Sequence, residues 1–158
     1  MRSRLLLAGF AIVFGVGLAT AADDAITIAL KDFKLKVAFD GMDALVGYNE
    51  GDEKVFMYTN GSATAAVKIP ADGEYTLTLK MSCDEARKVK AKVKITADSA
   101  TVKDDFELTT TDAKDYTFTV KLKKGTTKLG IAYLNDEFKE NEYDRNFYLH
   151  AAKLEPKK

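Results

Sequence analysis

Tyr75-Thr76-Leu77-Thr78-Leu79-Lys80-Met81 is the stretch that decides the fold. A β-strand sends successive side chains to opposite faces, so Tyr75, Leu77, Leu79 and Met81 share one apolar face. The same alternation occurs upstream in Phe33, Leu35, Val37 and Phe39. Downstream it returns in Val89, Ala91, Val93 and Ile95, then in Tyr116, Phe118, Val120 and Leu122. Turn pairs separate the runs: Asp40-Gly41, Glu50-Gly51, Asn60-Gly61, Asp72-Gly73 and Lys124-Gly125. Short strands at regular spacing with glycine-containing turns, and no long helical pattern between them, specify an all-β chain. The expected architecture is an antiparallel two-sheet β-sandwich of jelly-roll type, forming one domain over residues 22–158.

Two later runs differ from these half-polar strands. Gly130-Ile131-Ala132-Tyr133-Leu134 and Phe147-Tyr148-Leu149-His150-Ala151-Ala152 are apolar on both faces, as strands in the middle of a sheet are. Between them lies Asn135-Asp136-Glu137-Phe138-Lys139-Glu140-Asn141-Glu142-Tyr143-Asp144-Arg145-Asn146, an acidic, amide-rich loop whose ends are anchored in the stiffest part of the expected fold. After the second run, the tail Lys153–Lys158 reads as a last strand passing into a frayed basic end.

The first 21 residues have the three parts of a secretory signal peptide. Arg2 and Arg4 precede the apolar run Leu5–Leu18, and Ala19-Thr20-Ala21 supplies a small-residue cleavage pattern. The run is shorter than the roughly 20 apolar residues a spanning helix needs, so no membrane span is expected in the mature chain. The expected location is secreted or periplasmic. Removal of residues 1–21 would leave 22 basic against 24 acidic residues, net −2. That balance lacks the basic excess from which nucleic-acid binders draw affinity, so no nucleic-acid partner is expected.

Catalytic constellations are scarce. His150 is the single histidine and falls on an expected strand, which suits a hydrogen-bonded sandwich residue better than a general base. The single cysteine, Cys83, has no intramolecular partner and reads as a small buried hydrophobe ending a strand. The chain is therefore expected not to be an enzyme. Lys88, Lys90, Lys92 and Lys94 would form a same-face row on one strand, read as a solubilising face more readily than as a polyanion stripe. Asn60-Gly61-Ser62 fits a glycosylation acceptor, but turn chemistry explains it equally well.

The acidic loop has two readings on composition alone. It is either a solvated connection with Arg145 paired to an aspartate, or a cation site in which Asp136 and Asp144 present carboxylates and Asn135, Asn146 and loop carbonyls add neutral oxygens. Its order of motifs favours the second. Gly125-Thr126-Thr127-Lys128-Leu129-Gly130-Ile131-Ala132-Tyr133-Leu134-Asn135-Asp136, followed by Asp144-Arg145-Asn146-Phe147-Tyr148-Leu149, resembles the calcium-dependent xylan-binding carbohydrate-binding modules.

That resemblance implies a non-catalytic β-sandwich that binds polysaccharide through a protein-held calcium ion. Asp136 and Asp144 would be the metal carboxylates, with Asn135, Arg145 and Asn146 in support and Phe138 at the family's aromatic position. Phe138 and Tyr143 are the rings expected to pack on sugar. Glu137, Glu140 and Glu142 are additional carboxylates that either ligate, close coordination positions or face water. Near the start, Ala29 and Lys31 stand where related sandwiches often carry acidic residues for a second calcium, which counts against one here. The rival expectation is a structural or protein-interaction sandwich in which calcium, if bound, only stiffens the loop.

Overall fold

The computed structural model describes residues 24–157, so the signal-peptide expectation for residues 1–21 lies outside the described residues. Thirteen strands, β1 to β13, follow in chain order: Ile26–Ile28, Lys34–Val37, Val46–Asn49, Lys54–Met57, Gly61–Ile69, Gly73–Cys83, Lys92–Ala97, Ala100–Glu107, Lys114–Leu122, Gly125–Tyr133, Glu137–Lys139, Tyr143–Arg145 and Phe147–Pro156. Two single 3-10 turns, Leu30–Asp32 and Asp43–Leu45, are the only helical elements among the described residues.

The strands form two antiparallel sheets and one small hairpin. One sheet runs β3-β4-β13-β6-β9, with β1 also on β13, and the other runs β2-β5-β10-β7-β8. Both apolar runs are central, β13 in the first sheet and β10 in the second. The inward faces meet as expected: Tyr75, Leu77, Leu79 and Met81 of β6, with Phe147 and Leu149 of β13, are buried in one core with Ile95 and Ile131 of the other sheet. Interdigitated inner faces of this kind make the sandwich core.

Glu50-Gly51 closes the β3–β4 hairpin, but two of the turns serve a different purpose. The chain leaves β5 for β6 at Asp72-Gly73 and β9 for β10 at Lys124-Gly125, and each time it changes sheet. Gly125 takes φ +134 there, a conformation that L side chains rarely adopt.

Three local expectations need correction. Phe39 is exposed, because β2 ends at Val37 and the alternation outruns the strand. The lysine row is broken: β7 begins at Lys92, and Arg87 and Lys88 adopt φ 53 and 64 in a tight turn that bridges Ala86 to Val89. Lys90, Lys92 and Lys94 instead pair with Glu85, Asp105 and Asp104. The C-terminus is not frayed through Lys157. β13 pairs with β6 as far as Pro156, opposite Tyr75, and the Lys157 N–H donates to the Glu74 carbonyl at 2.8 Å.

Candidate functional site

The acidic segment connects the central strand of one sheet to the central strand of the other. It is not an open loop: β11 pairs with β12, matching Glu137 to Arg145, Phe138 to Asp144 and Lys139 to Tyr143. Asn141 takes φ 58 at the tip. Alternation along this hairpin sorts the candidate residues. Phe138 and Asp144 face a groove, whereas Glu137 and Arg145 face the body of the protein.

Arg145 is a clamp under the hairpin. Its buried guanidinium donates to the carbonyls of Val89 at 2.9 Å and Ala86 at 2.8 Å, to the Asn135 carbonyl, and to the Glu137 carboxylate at 3.1 Å. Glu137 also meets Arg87 at 3.1 Å, and Arg87 lies over the Tyr143 ring. Asn135 is equally committed. Its Oδ1 accepts from the Lys92 N–H at 2.7 Å and its Nδ2 donates to the Lys90 carbonyl at 2.9 Å. Asn135, Arg145 and Tyr143 therefore hold the hairpin to the 86–92 segment, and none of them lines the groove. Glu137 belongs to the same clamp.

The groove has a volume of about 590 Å³. Asp136, Asp144, Asn146 and Thr59 supply its polar groups, and Met42, Leu45, Tyr58, Phe138 and Tyr148 its apolar walls. Phe138 is 66% exposed, Met42 42%, Tyr58 40% and Leu45 37%. Four large apolar side chains held open to solvent around one concavity are what a ligand surface looks like. Tyr58 is fixed by stacking on Phe56 at 4.7 Å and by an edge contact with Tyr148 at 6.2 Å.

The polar groups are short of partners. The main-chain N–H of Asp136 donates to Asn60 Oδ1 at 2.8 Å, which fixes the residue, but its side-chain Oδ1 is enclosed and accepts nothing. Asn146 Oδ1 is likewise enclosed and unpartnered. The Asn146 amide is oriented by two donations from Nδ2, to Asp144 Oδ2 at 3.1 Å and Asp84 Oδ2 at 3.0 Å. Burial holds the Asp136 carboxyl above its ordinary range; the Thr59 hydroxyl opposes this and the nearby Asp144 charge adds to it. Buried acceptors without donors are costly, and a cation among them removes that cost. Among the described residues no three carboxylate, histidine or cysteine side chains converge, so the oxygen set is two carboxylates plus neutral oxygens. That donor set fits calcium.

Other expected residues fall elsewhere. His150 bonds Ser82 at 2.7 Å, and Cys83 is buried at the end of β6. Sequence reading missed Thr59, Tyr58 and Tyr148, together with Met42 and Leu45. Tyr148 adjoins the Asp-Arg-Asn motif and could have been found there; the others reach the groove only through folding.

Several solved carbohydrate-binding modules share this fold. The CBM36-1 domain of a multidomain xylanase from the hindgut metagenome of Trinervitermes trinervoides superposes with a TM-score of 0.62 at 12% identity, over 85% of this chain and 99% of that one. The CBM36 module in complex with calcium and xylotriose gives 0.52 at 12%, over 84% and 98%. The Podospora anserina GH26-CBM35 β-(1,4)-mannanase gives 0.58 at 14%; it matches 86% of this chain, which spans 28% of that enzyme. At these identities the likeness is one of fold.

The sequence itself goes further. Residues 76–158 match the model of CBM60, the Ca-dependent, xylan-binding carbohydrate-binding modules, and the chain belongs to that family. No curated protein matches it.

Proposed function

We propose that the chain is an exported, non-catalytic module that binds xylan or a related polysaccharide through a calcium ion held at Asp136, Asp144 and Asn146. The observation that carries this reading is the pair of enclosed, unpartnered oxygens, Asp136 Oδ1 and Asn146 Oδ1, in a groove that also holds Asp144. When bound, calcium offers open coordination positions that two neighbouring sugar hydroxyls can fill.

The chain's own residues do the rest. Asp136 and Asp144 neutralise cationic charge, and Asn146 contributes a neutral oxygen whose direction its two carboxylate partners set. Phe138 and Tyr58 offer ring faces to the apolar side of a pyranose, and Met42 and Leu45 exclude water beside them. The Arg145 clamp orders the hairpin by hydrogen bonds to main-chain carbonyls. Calcium is therefore not needed to shape it, which speaks against a merely structural ion. Export rests on the charged, apolar and small-residue pattern of residues 1–21.

Retention on immobilised xylan, with calcium and with chelator, tests the reading alongside Asp136→Ala and Asp144→Ala. Retention should require calcium and fall at least tenfold in either variant. Full retention in chelator would overturn the mechanism. Binding of calcium without any glycan, and with a protein partner instead, would favour the structural alternative.

A further inference from the structure

Asp84 follows the last residue of β6 and does not line the groove, yet two groove residues depend on its carboxylate. Its Oδ2 accepts from Asn146 Nδ2 at 3.0 Å and from the Tyr148 hydroxyl at 2.8 Å. The main chain closes the arrangement, because the Asp84 N–H donates to the Asn146 carbonyl at 3.0 Å. Asp84 and Asn146 thus hold each other through one main-chain and one side-chain hydrogen bond, across 62 residues of sequence.

An asparagine amide has two donors on one end and one acceptor on the other. With Nδ2 shared between Asp84 and Asp144, Oδ1 is left enclosed and unpartnered. The carboxylates select this orientation, since a flipped amide would place its oxygen against two anionic oxygens. We propose that Asp84 is a positioning residue for the groove: its carboxylate holds the Asn146 amide and the Tyr148 phenol in their binding orientations, coupling the oxygen end of the site to its aromatic wall. Asp84 touches neither ion nor sugar in this role. Partners behind a first layer of ligands commonly set ligand direction in this way.

The inference rests on the proposed calcium-and-glycan reading, and the test separates the two. Asp84→Ala removes the acceptor, whereas Asp84→Asn keeps an acceptor oxygen and loses the charge. Glu85→Gln, a neighbouring charge removal at a residue that pairs with Lys90, controls for long-range electrostatics. Calorimetric titration with calcium alone, then with xylo-oligosaccharide, should show Asp84→Ala weakened about tenfold in both. Asp84→Asn should stay within about threefold of wild type, and Glu85→Gln should match wild type. Asp84→Ala within twofold of wild type, or Asp84→Asn as weak as Asp84→Ala, would overturn the proposal.

A ligand-free measurement stands apart from the function. By NMR, the Asn146 side-chain amide protons should exchange slowly in wild type and at least tenfold faster in Asp84→Ala; equal exchange overturns the positioning role. Should wild type bind glycan without calcium, the calcium reading fails and the Asp84 ratios for glycan still decide this one.

Discussion

Asp136 costs the fold something, because its enclosed Oδ1 accepts no hydrogen bond. Burial raises its carboxyl above the ordinary range, so the folded chain holds that proton more tightly than the unfolded chain does. The resulting stabilisation is fully present below the unfolded carboxyl value and is lost as pH rises through the raised folded one. In chelator, wild type should therefore lose ground to Asp136→Asn as pH rises above the ordinary carboxylate range of about 4, and the variant should melt at or above wild type near neutrality. Calcium should reverse the order. At a hundred times its Kd a ligand adds about 2.7 kcal/mol, roughly 5–10 °C in a domain of this size, and Asp136→Asn should gain little of it. Thermal melts across that pH range with and without calcium check both halves, and a less stable variant in chelator near neutrality would count against the burial argument.

Arg145 shows how far one side chain can reach. Arg87 and Lys88 turn the chain with two consecutive positive-φ residues, neither of them glycine, and the carbonyls at both ends of that turn, Ala86 and Val89, accept from Arg145. A lysine cannot reproduce a planar fork with five donors. Arg145→Lys should cost about 3 kcal/mol or more, because buried acceptors are left bare, and calcium affinity should drop with it as the hairpin loosens. Urea unfolding and calcium titration measure the two effects.

Among the elements, the β11–β12 hairpin best shows what alternation alone settles. Once Glu137 is paired with Arg145, Phe138 and Asp144 must take the opposite face, so the pairing register decides which candidates reach the groove. The sequence carried the residue types but not this register. A one-residue slip would present Glu137 and Arg145 instead. The turn at 86–89 was illegible for a related reason: it has no glycine, asparagine or proline, and beyond its own Ala86–Val89 hydrogen bonds it is held by a guanidinium 56 and 59 residues away. By contrast, Tyr75–Met81 was legible because every alternate residue is apolar and the strand outlasts the pattern at both ends.

Gly61 marks another element-level constraint. A Cβ there would lie 2.9 Å from the Lys36 carbonyl oxygen and 3.1 Å from Val46 Cγ2, so the glycine permits β2 to approach β5. Gly61→Ala should push β2 outward and destabilise by about 1–3 kcal/mol. A denaturation midpoint unchanged from wild type would show that β2 yields freely.

On the scale of the whole molecule, the site stands where the central strands of opposing sheets are joined. β10 ends at Tyr133 and β13 starts at Phe147, and their rings stack at 6.0 Å in the core beneath the hairpin. The Asn60 side-chain oxygen, the Lys90 main-chain carbonyl and the Tyr133 hydroxyl each hold this connection by a hydrogen bond. The far end of β13 is equally integral: Leu154 is buried between Leu77 and Ile26. Truncation after Lys153 should therefore cost about 2–5 kcal/mol, the range for losing a buried leucine, where a frayed tail would cost nothing. Calorimetric melting of the shortened chain distinguishes these outcomes.

Sequence by itself determined the strand class, the two central strands, the buried cysteine at a strand end, and the aspartates that flank the acidic segment. These properties are written in periodicity and residue type, which act locally. Tertiary structure alone decided that Asn135, Tyr143 and Arg145 hold the hairpin to the 86–92 segment while Thr59, Tyr58 and Tyr148 line the groove. Those assignments depend on which side chains long-range packing brings within hydrogen-bond distance, and no local pattern encodes a contact made across 60 residues.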